Sequence, residues 1–470
     1  MTPNLVICGN GACAAALVVA LAKRQVPLNV TVIGRGEPWR GVAYSATDEH
    51  HLLNVPAANM SLDNDDAEHF LRWLDARGRG HAGWFAPRGL YGAYLENSVR
   101  RTLRAAPWLR LRLVSAELLG LTRHPDRWHV FHDKGVQAAD AVVLATGVER
   151  PSPLVERYGR AAARYLVEDP WQPWQAEPAA RILILGAGLT AVDAALNLVQ
   201  AGHKGPIVML SRHGLLPLRH DLSRPSPTAI RLPAASLSRR LRNLRRAMRD
   251  VGHWQDVFDG LRPQWQALWN ELSEDERRRF LRHLAVYFNI HRHRMAPRVA
   301  ATLSSAQKRN LELRRGRVTA MQPERDGLRV TIRSDARDDA AWFDKVLNCT
   351  GPNSNTGLSG QTFIQSLVGA GLARPESLGL GIEVDGKNRV YGREGLQHSL
   401  FAMGALSRGR WWEITAMPEI RQQAVHVARN VSQILSSAAD AMPSFNFPTS
   451  TSRQLFAKED HEHRLPAAGP

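Results

Sequence analysis

Cysteine is scarce in this sequence, with 3 among 470 residues. Cys8, Cys13 and Cys349 lie in or beside apolar segments, and no two of them form a C-x-x-C pair. A redox-active dithiol is therefore not expected. A metal site is not expected either, because clusters of His, Cys and carboxylate residues at ligand spacing are also missing. Isolated cysteines of this kind usually act as small buried packing residues.

Long apolar runs are missing as well. The sequence has no stretch of about 18 uninterrupted apolar residues, so it predicts no membrane-spanning helix. Residues 5–23 (LVICGNGACAAALVVALAK) contain the small residues of a secretion signal, but no basic residue precedes the run and glycines interrupt it. We therefore expect a cytoplasmic protein with room for roughly two to three domains.

Acidic residues are few in one part of the chain. The formal net charge is +17 at pH 7, and residues 212–317 supply most of it, with 23 Lys and Arg against 9 Asp and Glu. Such a surplus attracts nucleic acid, an anionic membrane or an anionic small molecule. It also fits a solvated helical surface beside a phosphate-rich cofactor. We favour this last interpretation, with a small-molecule substrate, because no nucleic-acid-binding module accompanies the charge.

The apolar N-terminal stretch is better explained as the start of a nucleotide-binding fold. Residues 5–8 predict a buried parallel strand, residues 9–14 (GNGACA) a turn of the form G-x-G-x-x-A, and residues 14–23 a helix. The first glycine permits the turn, the second lets a pyrophosphate approach the backbone, and the small third residue lets helix and strand pack closely. The N-terminus of the helix would then hold the anion.

The same pattern occurs a second time. Residues 181–185 (RILIL) lead into residues 186–191 (GAGLTA), and an apolar helix follows at residues 192–200. Residues 142–147 (VVLATG) lie between the two turns. One glycine turn alone is weak evidence, but two in one chain predict an α/β fold with two Rossmann-like dinucleotide-binding domains.

The residues after the second strand of each unit indicate which nucleotide binds. A carboxylate there binds the ribose hydroxyls, whereas an arginine accommodates a 2′-phosphate. In the second unit, Arg212 and His213 follow the predicted strand at residues 207–210, which favours NADPH unless Arg212 belongs only to the basic surface. In the first unit Arg35 follows the strand, and Glu37 is a displaced substitute for the expected carboxylate.

Several stretches together resemble the YdhS-like family of FAD/NAD(P)-binding proteins. They are residues 41–44 (GVAY), 52–57 (LLNVPA), 91–95 (YGAYL), 188–193 (GLTAVD), 211–217 (SRHGLLP), 291–294 (HRHR) and 412–421 (WEITAMPEIR). More widely, the chain is similar to two-dinucleotide flavoproteins that include flavin-containing and N-hydroxylating monooxygenases. The likeness runs over nearly the whole chain and implies FAD in the first domain and NADPH in the second.

The resemblance also implies a domain order. In such flavoproteins the NADP domain is inserted into the FAD domain, and the chain crosses over after two ATG-like segments, matched here by residues 145–147 and 348–351. The expected domains are an FAD-binding domain in two parts, an inserted NADP-binding domain, and a loosely ordered C-terminal tail. Their boundaries are residues 1–149 and 346–436 for the FAD domain, 150–345 for the NADP domain and 437–470 for the tail.

Residues 219–301 form a basic helical insertion within the NADP domain. The apolar residues at 237–248 recur at helical spacing between arginines, and aromatic residues at 254–293 supply enough apolar bulk for a cap. The apolar stripe would dock on a membrane surface or a partner, or pack over the nucleotide domain, which we favour. His291 and His293 do not share a helix face. With the arginines beside them they predict an anion clamp rather than a metal site.

The resemblance further assigns roles to single residues. Residues 54–60 (NVPAANM) match the N-x-P-x-x-x-M stretch of flavin-containing monooxygenases, in which the asparagine lies near the reactive face of the flavin. Asn54 is therefore the main catalytic candidate, although an asparagine here can also bond its own turn. Trp412 and Glu413 precede a predicted helix at about residues 418–435, whose N-terminus would face the flavin. Trp412 would be core packing or a substrate contact, and Glu413 a positioning or ion-paired residue.

The remaining candidates are residues expected to line the two cofactors. Gly404 ends a predicted strand at residues 400–403, where related flavoproteins continue with an aspartate that this sequence lacks. The full set of expected cofactor-binding residues is Gly9, Asn10, Gly11, Ala12, Cys13, Ala14, Arg35, Tyr44, Asn54, Val55, Met60, Thr146, Gly147, Gly186, Gly188, Leu189, Thr190, Arg212, His213, Thr350, Gly351, Gly404 and Thr415.

These features predict an FAD-dependent, NADPH-reduced oxidoreductase. The expected activity is that of a monooxygenase that uses molecular oxygen on a small-molecule amine or sulfur nucleophile. No catalytic triad or carboxylate pair stands out, as expected when the flavin does the chemistry. The main alternative is an NADPH-dependent flavin reductase or oxidase. Another is a non-catalytic nucleotide sensor whose basic insertion binds a partner.

Overall fold

The computed structural model describes residues 2–46, 48–147, 151–223, 227–335, 337–351 and 362–440. The strands, in chain order, are β1 (Asn4–Cys8), β2 (Leu28–Gly34), β3 (Leu109–Ser115), β4 (Leu118–Arg123), β5 (Trp128–His132), β6 (Gly135–Ala139), β7 (Ala141–Leu144), β8 (Leu166–Val167), β9 (Ile182–Leu185), β10 (Ile207–Ser211), β11 (Leu311–Arg315), β12 (Arg317–Pro323), β13 (Leu328–Ser334), β14 (Arg337–Phe343), β15 (Lys345–Asn348), β16 (Arg389–Gly392) and β17 (Gly395–Ala402).

Helices cover the sheets and form a separate cap. In chain order they are α1 (Ala12–Ala22), α2 (Gly41–Tyr44), α3 (His69–Asp75), α4 (Arg88–Ala105), α5 (Leu154–Tyr158), α6 (Leu189–Gln200), α7 (Leu237–Val251), α8 (Trp254–Gly260), α9 (Trp265–Asn270), α10 (Glu274–His283), α11 (Ala285–Arg292), α12 (Pro297–Gln307), α13 (Thr362–Gly369) and α14 (Met417–Asp440). No helix in the described ranges is long and apolar enough to cross a membrane.

The first domain is built on a six-stranded sheet with the order β16-β17-β7-β1-β2-β3. All neighbouring pairs are parallel except β16 with β17. The strands β1 and β7 are apolar and almost fully buried, as expected for central strands of a sheet covered on both faces. Helices α1, α4 and α14 pack on one face of this sheet and contribute to one apolar core.

The second domain repeats this plan. Its five-stranded sheet has the order β11-β10-β9-β15-β8, and each neighbouring pair is parallel. The helices α6 and α12 share a core with one face of the sheet, and the antiparallel sheet β12-β13-β14 shares a core with the other. The antiparallel sheet β4-β5-β6 stands in the corresponding place in the first domain. The predicted fold class, two Rossmann-like α/β domains, is confirmed.

One predicted domain boundary needs correction. The strand β15 pairs with β9, and therefore the return to the first domain that we expected at residue 346 comes after this strand. The ATG-like segment marks the end of a strand, but it does not reveal which of the two sheets that strand joins. At the other end, residues 437–440 belong to α14 and not to a tail. The boundary at residue 149 and residues 441–470 lie outside the described residues.

The helical insertion forms a cap over the C-terminal part of the first domain. Trp269 from the cap stacks on Trp412, with ring centroids 4.4 Å apart, and Phe280 and Phe288 pack edge-on or tilted around the same indole. The apolar side of α7 packs against this cluster, so the helix packs on its own protein, as favoured above. Residues 297–301 are not part of the cap, because they begin α12, which packs beside α6.

Helix α6 of the second domain makes polar contacts with the first domain. The guanidinium of Arg88, at the start of α4, lies 2.8 Å from the carboxylate of Asp193 on α6. His51 Nε2 lies 2.6 Å from Asn197 Oδ1, one turn further along α6. Burial raises the pKa of Asp193, and the charge of Arg88 opposes that rise. A buried ion pair of this kind fixes an orientation, since a single unpaired partner would be costly.

Candidate cofactor site

The first glycine turn has the backbone geometry that the sequence predicts. Gly9 has a φ of +110°, and a Cβ atom there would lie 2.3 Å from the carbonyl oxygen of Ala145. Only glycine fits such a close approach. The helix α1 then begins behind Gly11, with no side chain capping its N-terminus. Its first N–H groups are thus free to bind an anion.

The second glycine turn repeats this arrangement. Gly186 has a φ of +127°, and a Cβ atom there would lie 2.0 Å from the carbonyl oxygen of Cys349. The helix α6 begins behind Gly188, again without a side-chain cap. A Cβ atom on Gly188 would meet no heavy atom within 4 Å, so the space in front of this helix is open.

The two ATG-like segments lie beside the glycine turns at the carboxyl edges of the sheets. Ala145 N donates to Cys8 O at 2.7 Å, and Cys349 N donates to Leu185 O at 2.9 Å. Gly147 and Gly351 follow with nearly equal φ values of +84° and +82°. Ligands of open α/β sheets bind at such carboxyl edges. The structure thereby brings Thr146 and Gly147 next to the glycine turn at residues 9–14, called the first cradle below. It brings Thr350 and Gly351 next to the turn at residues 186–191, called the second cradle.

A pair of arginines marks the end of the second cradle. Arg212 and His213 are exposed directly after β10, where no carboxylate stands. Ser211 is in register with Arg315 at the end of β11. The Arg315 side chain is 65% exposed, and its Nη2 lies 3.3 Å from Oδ1 of the exposed Asp335. The sequence did not indicate Arg315, because its place beside Arg212 depends on the pairing of β10 with β11. Two cations at this edge suit a 2′-phosphate.

The corresponding end of the first cradle is mixed in charge. Arg35 is exposed and forms an ion pair with Glu117. Asn10 Nδ2 donates to the carbonyl oxygen of Arg35 at 3.0 Å, which ties the glycine turn to the end of β2. The exposed Glu37 lies 3.3 Å from Arg40. Glu37, the displaced substitute for the ribose-binding carboxylate, is therefore already paired with Arg40.

A loop from the C-terminal part of the chain reaches the first cradle. Gly404 has a φ of +65°, and a Cβ atom there would lie 2.7 Å from Cys13 Sγ. Gln423 of α14 holds this loop: its Oε1 accepts from Gly404 N at 2.7 Å, and its Nε2 donates to Ser407 Oγ at 2.9 Å. The aspartate that related flavoproteins carry after this strand has no counterpart here in the sequence. The fold places the side-chain amide of Gln423 against the loop, and the sequence did not indicate this residue.

The cysteines are packing groups: Cys8 and Cys349 are buried, and Cys13 is half-buried. All three are free, and burial raises the pKa of Cys13 and of Cys349 to about 12. Burial raises the pKa of Cys8 as well. Neutral thiols of this kind are poor nucleophiles. Among the residues that the structure describes, no group of three or more His, Cys or carboxylate residues could hold a metal ion.

Asn54 lies on a loop that the cap touches. Val55 and Met60 on either side of the short 3₁₀ turn Ala57–Asn59 are buried in the core of the first domain, whereas Asn54 is only half-buried. Its carbonyl oxygen lies 2.9 Å from Nε2 of His220, a residue that the sequence did not indicate. Tyr44 packs edge-on against Tyr91 nearby in the core, and burial raises the pKa of Tyr44 to about 12.

Trp412 and Glu413 have different surroundings from each other. Trp412 is 2% exposed inside the aromatic cluster of the cap, which is the core-packing arrangement that the sequence left open. Glu413 is buried and has a φ of +64°, a conformation that costs of order 1–3 kcal/mol for a residue other than glycine. Its Oε2 lies 3.1 Å from Arg292 Nε, so the ion-paired alternative describes it. Thr415, two residues further on, is exposed just before α14.

The predicted anion clamp at residues 291–294 binds carboxylates of the protein itself. Arg292 faces Glu413, and Arg294 lies 2.6 Å from Asp259. Burial lowers the pKa of Arg292 and of His293. At the start of α14, Glu419 accepts two hydrogen bonds from Arg262 of the cap, at 2.6 and 2.9 Å. These ion pairs attach the cap to the segment that leads into α14.

A wide cavity lies on the opposite side of the second sheet. It has a volume of about 1180 Å³ and is lined by residues that include His51, Trp171, Trp174 and Lys345. Ala180 and Lys345 place it at the amino edge of the sheet, where β9 and β15 begin. The glycine turns lie at the carboxyl edge, so this cavity is separate from the candidate cofactor site.

Comparisons with known proteins agree with the fold. Residues 6–149 match the family model described as FAD-NAD(P)-binding, which supports a nucleotide-binding first domain. A search of the curated proteins found no match.

Solved structures with a similar fold cover nearly the whole chain. The reduced ornithine hydroxylase of Pseudomonas aeruginosa is 17% identical with a TM-score of 0.62, over 93% of this chain and 100% of that one. The ornithine N-hydroxylase of Kutzneria sp. 744 is 15% identical with a TM-score of 0.62, over 92% and 99%. The L-lysine 6-monooxygenase of Pseudomonas syringae is 16% identical with a TM-score of 0.62, over 92% and 99%. At these identities the similarity shows a shared two-domain flavoprotein fold.

Proposed function

We propose that this protein is an FAD-dependent, NADPH-reduced monooxygenase of the YdhS-like family that acts on a small-molecule amine or sulfur nucleophile. The observation that carries the proposal is the pair of uncapped glycine turns, one on each parallel sheet, within a fold similar to that of ornithine and lysine hydroxylases along nearly the whole chain. One turn alone would support only nucleotide binding. Two turns support the transfer of electrons between two bound nucleotides.

FAD fits the first cradle. Gly9 permits the tight turn beneath the Ala145 carbonyl, and Gly11 presents no side chain at the N-terminus of the uncapped α1, where a pyrophosphate would bind. The loop at Gly404 closes on the same turn from the C-terminal side. The loop at Asn54 is the proposed neighbour of the flavin ring. When bound, the flavin would accept a hydride from NADPH and pass electrons to oxygen. The chain would supply binding, orientation and exclusion of water.

NADPH fits the second cradle. The open space at Gly188 admits a pyrophosphate to the N-terminus of α6, and the guanidinium groups of Arg212 and Arg315 can bind a 2′-phosphate by charge-assisted hydrogen bonds. The absence of a carboxylate after β10 would leave the ribose hydroxyls of NADH without their usual acceptor. We therefore propose that NADPH is preferred over NADH.

The cap is the proposed cover of the reaction site. Its aromatic cluster excludes water from the side where Trp412 and Glu413 lie, and its ion pairs to Glu413 and Glu419 hold it there. Oxygenation by a flavin needs few side-chain acids or bases. The described residues around the loop at Asn54 agree with this, because His220 and the buried arginines there are already bonded to groups of the protein.

Purified protein tests the proposal in three steps. We expect a visible flavin spectrum, faster anaerobic bleaching by NADPH than by NADH, and then incorporation of one atom of ¹⁸O₂ into an amine or sulfide product. Release of hydrogen peroxide with no oxygenated product would favour the flavin reductase or oxidase instead. A preparation that stays colourless after reconstitution with FAD would contradict the proposal and favour a nucleotide sensor.

A further inference from the structure

His220 is held rigidly on the helical cap by its own backbone. The backbone N–H of His220 donates to Met295 O at 3.0 Å, and the backbone N–H of Met295 donates to Leu218 O at 2.7 Å. The next residue is fixed as well, because Gln255 accepts from Asp221 N at 3.1 Å and donates to Asp221 O at 2.9 Å. The backbone on both sides of His220 therefore has little freedom to move.

The imidazole of His220 points from the cap to the first domain. It is 8% exposed, and its ring packs at 5.0 Å against Phe85. The charged groups that act on it are those of Arg292, Arg294 and Asp259. Burial, assisted by Arg294, lowers the pKa of His220 to about 4, so the ring is neutral at neutral pH. Because a carbonyl oxygen only accepts, the proton of the neutral ring lies on Nε2. The Nε2–H group donates a hydrogen bond to the backbone oxygen of Asn54 at 2.9 Å.

The loop that His220 contacts is hydrogen-bonded to the first domain at its two ends, and between them Val55 packs in the core of that domain. Leu53 N donates to Ala86 O at 2.8 Å, and Ala57 N donates to Trp84 O at 2.8 Å. Both anchors lie within the first domain. Between them, the hydrogen bond from His220 holds the Asn54 carbonyl, and it comes from the cap.

We propose that His220 is a positioning residue of the flavin site, through which the helical cap fixes the orientation of Asn54. This inference rests on the proposed role of Asn54 beside the flavin ring. The cap then has a task beyond covering the site, since it completes the geometry of a loop that belongs to the first domain. A side-chain amide can act on a reacting group only if its backbone is held, because misplacement of about 1 Å is costly in rate.

Three variants test the hydrogen bond itself. His220→Leu removes the donor, His220→Gln keeps an N–H donor, and His283→Gln changes an exposed histidine elsewhere on the cap. Hydrogen–deuterium exchange of the peptide spanning residues 52–60 does not require bound flavin. We expect about fivefold faster exchange in His220→Leu, as for the loss of one hydrogen bond. His220→Gln should stay within about twofold of the wild type, and the control should not change.

A double-mutant cycle with Asn54→Ala tests the positioning role. In the wild-type background, His220→Leu should slow anaerobic reduction of the bound flavin by NADPH about tenfold. In the Asn54→Ala background it should change the rate by less than about twofold, because the side chain that it positions is gone. His220→Gln should restore most of the wild-type rate. Equal losses in both backgrounds, or unchanged exchange of residues 52–60, would overturn the proposal.

A colourless protein, which binds no flavin, would have a different meaning from the outcomes above. In that case the proposed flavoprotein function would be lost, and the role of His220 at a flavin site would be overturned with it, whatever the exchange data show. A yellow protein with normal flavin reduction in His220→Leu would overturn the positioning role alone.

Discussion

The two glycine turns of this protein have almost the same backbone but different surroundings. Gly9 and Gly186 both have a positive φ, and both turn beneath the carbonyl of an ATG-like segment on the neighbouring strand. The first turn is enclosed by the loop at Gly404 and by Gly41, whose Cα would lie 3.4 Å from a Cβ on Gly11. The second turn is open in front of Gly188.

This difference indicates how one local motif can serve two cofactors. An enclosed turn suits a nucleotide that stays bound through many reactions, whereas an open turn suits one that must enter and leave. The glycines determine only that a pyrophosphate can approach the helix N-terminus. The segments that pack around each turn come from distant parts of the chain, and they decide how tightly the nucleotide is enclosed.

The largest expected effect tests the backbone conformation that the two glycine turns share. Gly9→Ala and Gly186→Ala should each lower the free energy of unfolding by roughly 3 kcal/mol or more, because the new methyl group meets a carbonyl oxygen and the φ is unfavourable for alanine. Urea unfolding followed by circular dichroism measures this loss. A wild-type midpoint in either variant would show that the turn can relax and that the glycine is not required.

The pH dependence of stability tests the burial of His220 between the cap and the first domain. The pKa of His220 is about 4 in the folded protein against an ordinary value of 6.5. Below pH 6.5 the unfolded chain binds a proton that the folded protein does not accept. The free energy of unfolding therefore loses nothing to this histidine above pH 6.5. As the pH falls toward 4, it decreases by up to about 3 kcal/mol.

The comparison with His220→Gln isolates this contribution. The variant should lose less stability than the wild type between pH 6.5 and 4, because it has no proton to bind there. The difference in urea midpoints at the two pH values gives the answer. Parallel losses in the two proteins would mean that other groups dominate the acid sensitivity.

Two arginines test which nucleotide the open turn prefers. Arg212→Ala and Arg315→Ala should each weaken NADPH binding by roughly tenfold or more, since each removes a charge-assisted hydrogen bond to a phosphate. NADH binding should hardly change. Arg317→Ala is the matched control, because it removes an exposed arginine two residues beyond the site. Equal weakening of both nucleotides would contradict the assigned 2′-phosphate site.

The smallest expected effect separates binding from folding at the open turn. Gly188→Ala should leave the urea midpoint unchanged, because the added methyl group meets no heavy atom within 4 Å. It should weaken NADPH binding by about tenfold, since the methyl group occupies the path of the pyrophosphate. Isothermal titration with NADPH measures the change. Unaltered affinity would mean that the nucleotide does not approach α6 at this glycine.

Much of the fold could be predicted because it depends on local patterns. The strand–turn–helix units at residues 4–22 and 182–200 follow from apolar runs broken by glycines at fixed spacing. The position of β15 could not be predicted in this way, because a short apolar strand carries no mark of the sheet that it joins. The ends of α14 and of the cap were also misplaced by a few residues, as helix boundaries are only weakly encoded.

The candidate site was predictable only where a motif is continuous in sequence. The glycine turns, Arg212 and the loop at Asn54 belong to such motifs. Arg315, Gln423 and His220 do not, and each became visible through a contact with a distant residue. The histidines and arginines at residues 291–294 were recognised as an anion-binding group, but the anions turned out to be Asp259 and Glu413 of the same chain.

The sequence by itself determined that this chain has two dinucleotide-type turns, no C-x-x-C pair and no uninterrupted apolar run of membrane-spanning length. Those properties depend on residues that are neighbours along the chain, so local sterics and hydrophobic periodicity are sufficient to establish them. Only the tertiary structure decided what encloses each turn, which arginines meet at the open one, and which side chain of the cap reaches Asn54. Such contacts join residues far apart in sequence, and they form only when the sheets, helices and cap have packed together.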